Sequence, residues 1–425
     1  MSIFRLIAIF LFSIFALSAF PQSAAESIVK ELSDTYNVDF SNDNRLVIFR
    51  TGQEKFDDML VAIDEATSSI HLEYFNFRND SISDILFHKL ALKAAAGVEV
   101  RAIFDGFGNM SNNRPLKKHK VDSLRQLGIN IVEFDPVRFP YINHAIHRDH
   151  RKIVVIDGII AYTGGMNVAD YYITGKPEFG EWKDIHCRIE GSCVGELQKI
   201  FIRFWNKVTK DSVSGAHYYN EWCDARRKFH MLKQDTTATS GAKLIGVVDR
   251  GPKSPRRIIH DTFVASINSA HDSIQIINPY LTLCCHIRRA LRHALERGVK
   301  VEIMVSKLSD IPITPRVVEH NAHRLMKKGA DVYFFLGGFH HSKIMMIDGE
   351  ATFVGSSNLN SRSLSFDYEC NLLVADKATT AQFQRIFTED KINRCFKLTP
   401  QTWKSEFSKK HRFGAWFFQF LTPFL

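Results

Sequence analysis

One stretch of eighteen residues occurs twice in this chain, and it limits the possible folds more than any other feature. The first copy is His150-Arg-Lys-Ile-Val-Val-Ile-Asp-Gly-Ile-Ile-Ala-Tyr-Thr-Gly-Gly-Met-Asn167. The second is His341-Ser-Lys-Ile-Met-Met-Ile-Asp-Gly-Glu-Ala-Thr-Phe-Val-Gly-Ser-Ser-Asn358. In both, the His is followed by Lys at +2, Asp at +7, Gly at +8, Gly at +14 and Asn at +17. Two copies in one register mean that the chain is an internal duplication.

The flanking elements repeat as well. Arg45-Leu-Val-Ile-Phe49 reads as a strand, Phe56 to Ala66 has helical apolar spacing, Ile70 to Phe75 is a buried strand, Ser81 to Ala95 a helix and Gly97 to Phe104 a strand. The same order returns at Leu244 to Val248, Asp261 to Ala270, Ser273 to Ile277 and Arg297 to Met304. Strands alternating with helices predict an α/β fold of two pseudo-symmetric halves, each a mixed, mostly parallel sheet flanked by helices. The expected organisation is 1–25 as a signal peptide or N-terminal membrane anchor and 26–233 as the first half. A linker at 234–243, the second half at 244–400 and a basic, aromatic tail at 401–425 follow. Residues 26 to 44 are polar and read as a weakly structured lead-in with a short helix.

At 425 residues the chain is long enough for two units with their own cores, and its formal charge of +9 favours polyanionic partners, nucleic acid or an anionic membrane surface. The basic start Met1 to Arg5, the uncharged apolar run Leu6 to Phe20 and small Ser23-Ala24-Ala25 read as an export signal cut after Ala25. An uncleaved anchor is the alternative. Seven cysteines form no CxxC pair and no Cys/His spacing of the zinc type, so they are expected to be mainly core residues, and no metal site is expected.

On a strand, residues i and i+2 face one side, so His150 with Lys152 and His341 with Lys343 are expected to project together. The Asp-Gly pairs at Asp157 and Asp348 sit between apolar runs, a strong hairpin signal that makes both aspartates turn residues before proton carriers. Paired His, Lys and Asn (Asn167, Asn358) suit in-line displacement at phosphorus. One imidazole attacks, the other protonates the leaving oxygen, and Lys and Asn hold the non-bridging oxygens. This chemistry requires neither a metal nor a cofactor.

With its two HxKxxxxD motifs, His150/Lys152/Asp157 and His341/Lys343/Asp348, the sequence resembles the phospholipase D superfamily, with the repeat matched from about Leu46 to Ile386. The resemblance implies that both motifs serve one active site at the interface of the halves and that a phosphohistidine forms on one of the two His. It also implies a carboxylate that contacts the opposite His. Asp184 lies 34 residues after His150 and Glu369 lies 28 after His341; Glu369 would orient His150, and Asp184 would orient His341. Within the superfamily the chain is most similar to bacterial cardiolipin synthases. That likeness rests on Leu72-Glu-Tyr-Phe75, Phe104-Asp-Gly-Phe-Gly108, Gly164-Gly-Met-Asn167 with Trp182-Lys-Asp184, and Gly355 to Leu364. Many members carry two spanning helices ahead of the first half, whereas this chain has one short apolar segment.

The resemblance implies phosphatidyl transfer to a lipid alcohol, with phospholipid substrates and an anionic membrane surface as partners, and the export signal places this on the exported side of the bacterial inner membrane. The tail fits this placement, with Lys409-Lys-His-Arg412 beside the aromatic run Phe413 to Leu421. The apolar loop Phe139 to Asn143 is a candidate gate against water. Hydrolysis by water is the alternative within the same chemistry. A phosphodiesterase acting on nucleic acid would use Lys117 to Lys120, Arg226 to Lys228 and Arg256-Arg257, but the export signal and the aromatic tail disfavour it. A scaffold without catalysis is disfavoured by two complete motifs. His147-Arg-Asp149 resembles a kinase catalytic loop, but Val154 stands where that loop needs Asn.

Overall fold

The computed structural model describes residues 22–137, 146–219, 242–252 and 257–424. The first-half strands are β1 (Phe40–Phe49), β2 (Ser69–Tyr74), β3 (Glu99–Asp105), β4 (Asn130–Phe134), β5 (Ile153–Ile156), β6 (Ile160–Gly164), β7 (Glu181–Lys183) and β8 (His186–Glu190). The second half contributes β9 (Lys243–Arg250), β10 (Ser273–Ile277), β11 (Lys300–Ser306), β12 (Asp331–Phe335), β13 (Gly338–His340), β14 (Ile344–Ile347), β15 (Ala351–Gly355), β16 (Glu369–Ala375) and β17 (Cys395–Lys397).

Fifteen of these strands form one continuous sheet in the order β17-β12-β11-β10-β14-β15-β16-β9-β1-β8-β6-β5-β2-β3-β4. Outward from the β9–β1 junction, β9, β16, β15, β14, β10, β11 and β12 mirror β1, β8, β6, β5, β2, β3 and β4, so the duplication is visible in the strand order. The sheet is not mostly parallel, as the alternation of strands and helices led us to expect. Four ladders are parallel and ten are antiparallel. The parallel ladders lie where helices connect the strands, whereas the repeated stretch folds as a tight hairpin, which joins only antiparallel neighbours.

These hairpins explain the Asp-Gly pairs. Asp157 and Gly158 have φ +53° and +66°, Asp348 and Gly349 +51° and +68°, the two left-handed positions of a type I′ turn. Ile159 N–H donates to Ile156 O and Glu350 N–H to Ile347 O, closing each turn.

Side chains alternate through the sheet. On β5, Val154 and Ile156 enter one core while Ile153 and Val155 enter another; on β14, Met345 and Ile347 alternate with Ile344 and Met346. The core containing Ile153, Val155, Ile344 and Met346 draws on both halves and lies under the helices Cys193–Thr209 and Lys377–Arg394. Halves that share a core in this way form a single unit.

Residues 26 to 44 are more ordered than their polarity suggests. Ala24–Tyr36 is a helix with a capping box between Ser23 and Glu26, and β1 begins at Phe40. Ala24, Ile28 and Leu32 insert into the core of the second half, and this burial stabilises an otherwise polar helix. A cut after Ala25 would remove the Ser23 cap and buried Ala24. The apolar run at 6–20, the loop at 139–143, Cys223, Arg226 to Lys228, Arg256 and most of the expected linker lie outside the described residues. Among the described residues, no helix is long and apolar enough to cross a membrane, and six cysteines are unpaired, with Cys187 and Cys370 buried in β8 and β16.

Candidate active site

Each signature His is seated by the opposite half. His150 N–H donates to Tyr368 O at 3.0 Å, and His341 N–H to Lys183 O at 2.6 Å. Tyr368 immediately precedes Glu369 and Lys183 immediately precedes Asp184, so each backbone bond brings a carboxylate beside a ring. His150 Nδ1 lies 3.1 and 3.2 Å from the two oxygens of Glu369. His341 Nδ1 lies 2.7 Å from Asp184 Oδ2. Both pairings cross the interface as expected from the resemblance. An ionised carboxylate only accepts hydrogen bonds, so each Nδ1 carries the proton and each Nε2 keeps its lone pair.

Both rings open into one cleft of about 610 Å³, together with Asn167 and Asn358. Each Asn is buried, its Nδ2 turned toward a neighbouring hydroxyl (Tyr172 at 3.4 Å, Ser363 at 3.5 Å) and its Oδ1 without a partner. The lysines lie deeper. Lys152 Nζ donates to His150 O at 2.5 Å and Lys343 Nζ to His341 O. His150 to Lys152 and His341 to Lys343 precede the hydrogen-bonded strands β5 and β14. Asp157 and Asp348 are outside the cleft. Asp157 accepts from Thr67 N, Thr67 Oγ1, Ser68 N and Ser69 N, and Asp348 from His271 N, Asp272 N and Ser273 N. Within the motif they clamp the hairpin to the start of β2 and of β10.

The site is desolvated, with two lysines facing two carboxylates. Burial lowers Lys152 to about 7 and Lys343 to about 8. Burial and then the Lys152 charge lower His150 to about 4, and burial with Lys343 holds His341 well below the ordinary imidazole value. The two carboxylates differ. Burial alone would raise Glu369, but the charges of His150 and Lys152 and bonds from His150 and Ser356 bring it down to about 2. Burial pushes Asp184 up to about 6. Where Ser356 reaches Glu369, the first half has Gly165, whose added Cβ would lie 2.2 Å from Asp184 Oδ1.

Several cleft residues escaped the sequence reading: Tyr280, Asp310, Lys176, Arg362 and Asp367. Tyr280 follows β10 as Asn76 follows β2, so aligning the repeats past the strand ends would have found it. Lys176 stacks over Tyr171 and Trp182 at 4.3 and 4.1 Å, and burial pushes Asp367 up to about 8. Arg148, in the tripeptide set aside as kinase-like, is buried and bridges Asp105 and Asp135. It therefore holds the entry to the first motif.

Mirrored halves that exchange His–carboxylate contacts across one cleft define a phospholipase D-like protein. The sequence matches the family model described as cardiolipin synthase, PLD-like domain, over residues 59–205 and 263–391, and the chain belongs to that family. It is 33% identical to cardiolipin synthase 2 of Staphylococcus epidermidis over 390 residues, 91% of this chain and 75% of that protein. To a cardiolipin synthase of Listeria monocytogenes it is 31% identical over 362 residues, 85% of this chain and 71% of the other. The crystal structure of phosphatidylserine synthase from Haemophilus influenzae shares the fold, with TM-score 0.69 at 14% identity over 94% of this chain and 99% of that one.

Proposed function

We propose that the chain is a phosphatidyltransferase that joins two phosphatidylglycerols into cardiolipin and glycerol through a phosphohistidine. The observation that carries this reading is the pair of crossed His–carboxylate contacts opening into one cleft. His150 Nε2 attacks phosphorus and forms the P–N bond while the P–O bond to the glycerol headgroup breaks. His341 gives the departing oxygen its proton. The second phosphatidylglycerol then enters, its hydroxyl returns a proton to His341, and its oxygen displaces His150 from phosphorus.

Two features favour His150 as nucleophile. Its partner Glu369 is the carboxylate held firmly ionised, and its side chain is 14% exposed against 7% for His341. The anionic substrate raises the pKa of His341 and lets it carry the proton it delivers. Asn167, Asn358, Lys152 and Lys343 bind the non-bridging oxygens. The aromatic lining, Phe75, Tyr280 and Trp182 against the two rings, excludes water in favour of a lipid alcohol.

Membrane attachment is supported by the tail. Helix Lys409–Phe418 buries Ala415 against the second half and leaves Phe413, Trp416 and Phe417 exposed beside a basic first turn, with exposed Phe420 in the turn that follows. In this reading 1–25 serves as export signal or uncleaved anchor, and the enzyme works on the periplasmic face. The test uses phosphatidylglycerol vesicles with EDTA: cardiolipin and glycerol form, and His150→Ala and His341→Ala each abolish both. Phosphatidic acid as the sole lipid product would replace transfer by hydrolysis, and plasmid nicking without lipid turnover would overturn the lipid reading.

A further inference from the structure

Away from the cleft, two helices of the second half meet at their first turns. Ile258–Ser269 carries His260, and Cys285–Glu296 follows its cap residue Cys284 and carries His286. One donor atom from each of His260, Cys284 and His286 lies within 4.8 Å of the other two. The two imidazoles meet edge to face at 5.2 Å.

His260 is buried with one of its two ring nitrogens unaccounted for. It is 7% exposed, its Nδ1 lies 2.7 Å from Asp261 Oδ1, and its Nε2 has no partner. A buried ring nitrogen without a partner is costly, since it gives up water and receives nothing. The carboxylate on Nδ1 fixes the tautomer that leaves the Nε2 lone pair free, the arrangement by which metal-bound imidazoles are oriented. Asp261 is itself held, its Oδ2 accepting from Tyr36 OH of the N-terminal helix at 2.8 Å.

We propose that His260, Cys284 and His286 bind one zinc ion, with Asp261 orienting His260. Two imidazoles and a thiolate are ligands of borderline softness that suit Zn²⁺. Donors in a tetrahedral zinc site stand about 3.3–3.8 Å apart, so small side-chain rotations close the cluster. The metal displaces the thiol proton of Cys284 to solvent, and a water completes the fourth position. The site is a staple. It locks the start of one helix to the end of the Asn278 to Cys284 segment, and that segment carries Tyr280, whose ring stands edge-on to His341 at 6.0 Å. The sequence gives no hint of it, because His260 is 24 residues before Cys284 and on another helix.

The full-length protein, stripped of metal, is titrated with Co²⁺ and then Zn²⁺. One Co²⁺ per chain is expected, with a thiolate-to-cobalt charge-transfer band in the near ultraviolet that Zn²⁺ abolishes. Cys284→Ser removes the band, Asp261→Ala weakens binding about 10–100-fold, and Cys285→Ser leaves both unchanged. Zn²⁺ raises the melting temperature of the wild type and not of Cys284→Ser. A band that survives Cys284→Ser, a band lost in Cys285→Ser, or no band at all overturns the proposal.

Discussion

Replacing Asp157 by Ala separates a structural motif residue from a chemical one. Its carboxylate is 6% exposed and accepts three backbone N–H groups and one hydroxyl at 2.7–2.9 Å. Thr67 and Ser68 lie near solvent and regain water, but Ser69 is buried and its N–H is left without an acceptor. That loss costs about 2–3 kcal/mol, and holding Ala at φ +53° adds about 1–2 kcal/mol. The expected loss is thus about 3–5 kcal/mol. For 425 residues the unfolding entropy is about 0.9 kcal/mol/K, so the melting temperature falls by about 4 °C. Asp157→Asn falls between, because it tolerates the left-handed turn but turns an N–H₂ toward the Thr67 N–H. Thermal unfolding of both variants, with turnover measured per folded molecule well below the transition, should show stability lost and turnover within about threefold of wild type. A fall in turnover of about 100-fold, some 2.7 kcal/mol of barrier, with an unchanged melting temperature would refute the structural assignment.

The lysines set a pH dependence. Lys152 near 7 and Lys343 near 8 are charged below those values and neutral above them, so the KM for phosphatidylglycerol should rise as pH goes from 6 to 9. Bound phosphate holds the protons longer, so kcat should decline later than affinity; a KM flat across that range would contradict the placement. For the tail, replacing exposed Trp416 and Phe417 by Ser should weaken binding to anionic vesicles about 100-fold or more, at about 1.5–3 kcal/mol for each buried aromatic. Co-sedimentation measures this, and unchanged binding would remove the tail from the membrane.

Much of the molecule was legible because it was written twice. Repetition exposed His150 and His341, the Asp-Gly turns and the matching strands, since local periodicity and turn chemistry act over a few residues. The crossed carboxylates were reachable only through family resemblance, because nothing local to Asp184 or Glu369 marks a partner in the other half. Long-range facts stayed hidden. The lead-in Ala24–Tyr36 is ordered by a core more than two hundred residues away, a packing effect that overrides its polar composition. The antiparallel character of the sheet was missed because alternation of strands and helices describes only the outer strands. Tyr280, Lys176 and Asp310 come from loops, where side-chain type carries little information about position.

Gly165 and Ser356 occupy one position in two copies of a single ancestral plan, and only one of them touches its carboxylate through a hydroxyl. A symmetric dimer of identical halves would force both carboxylates to be alike, with equal claims on the reacting phosphorus. Joining the copies in one chain releases each from the other's inheritance. A mutation at 165 or 356 then tunes one imidazole alone, and attack and proton delivery become separately selectable tasks.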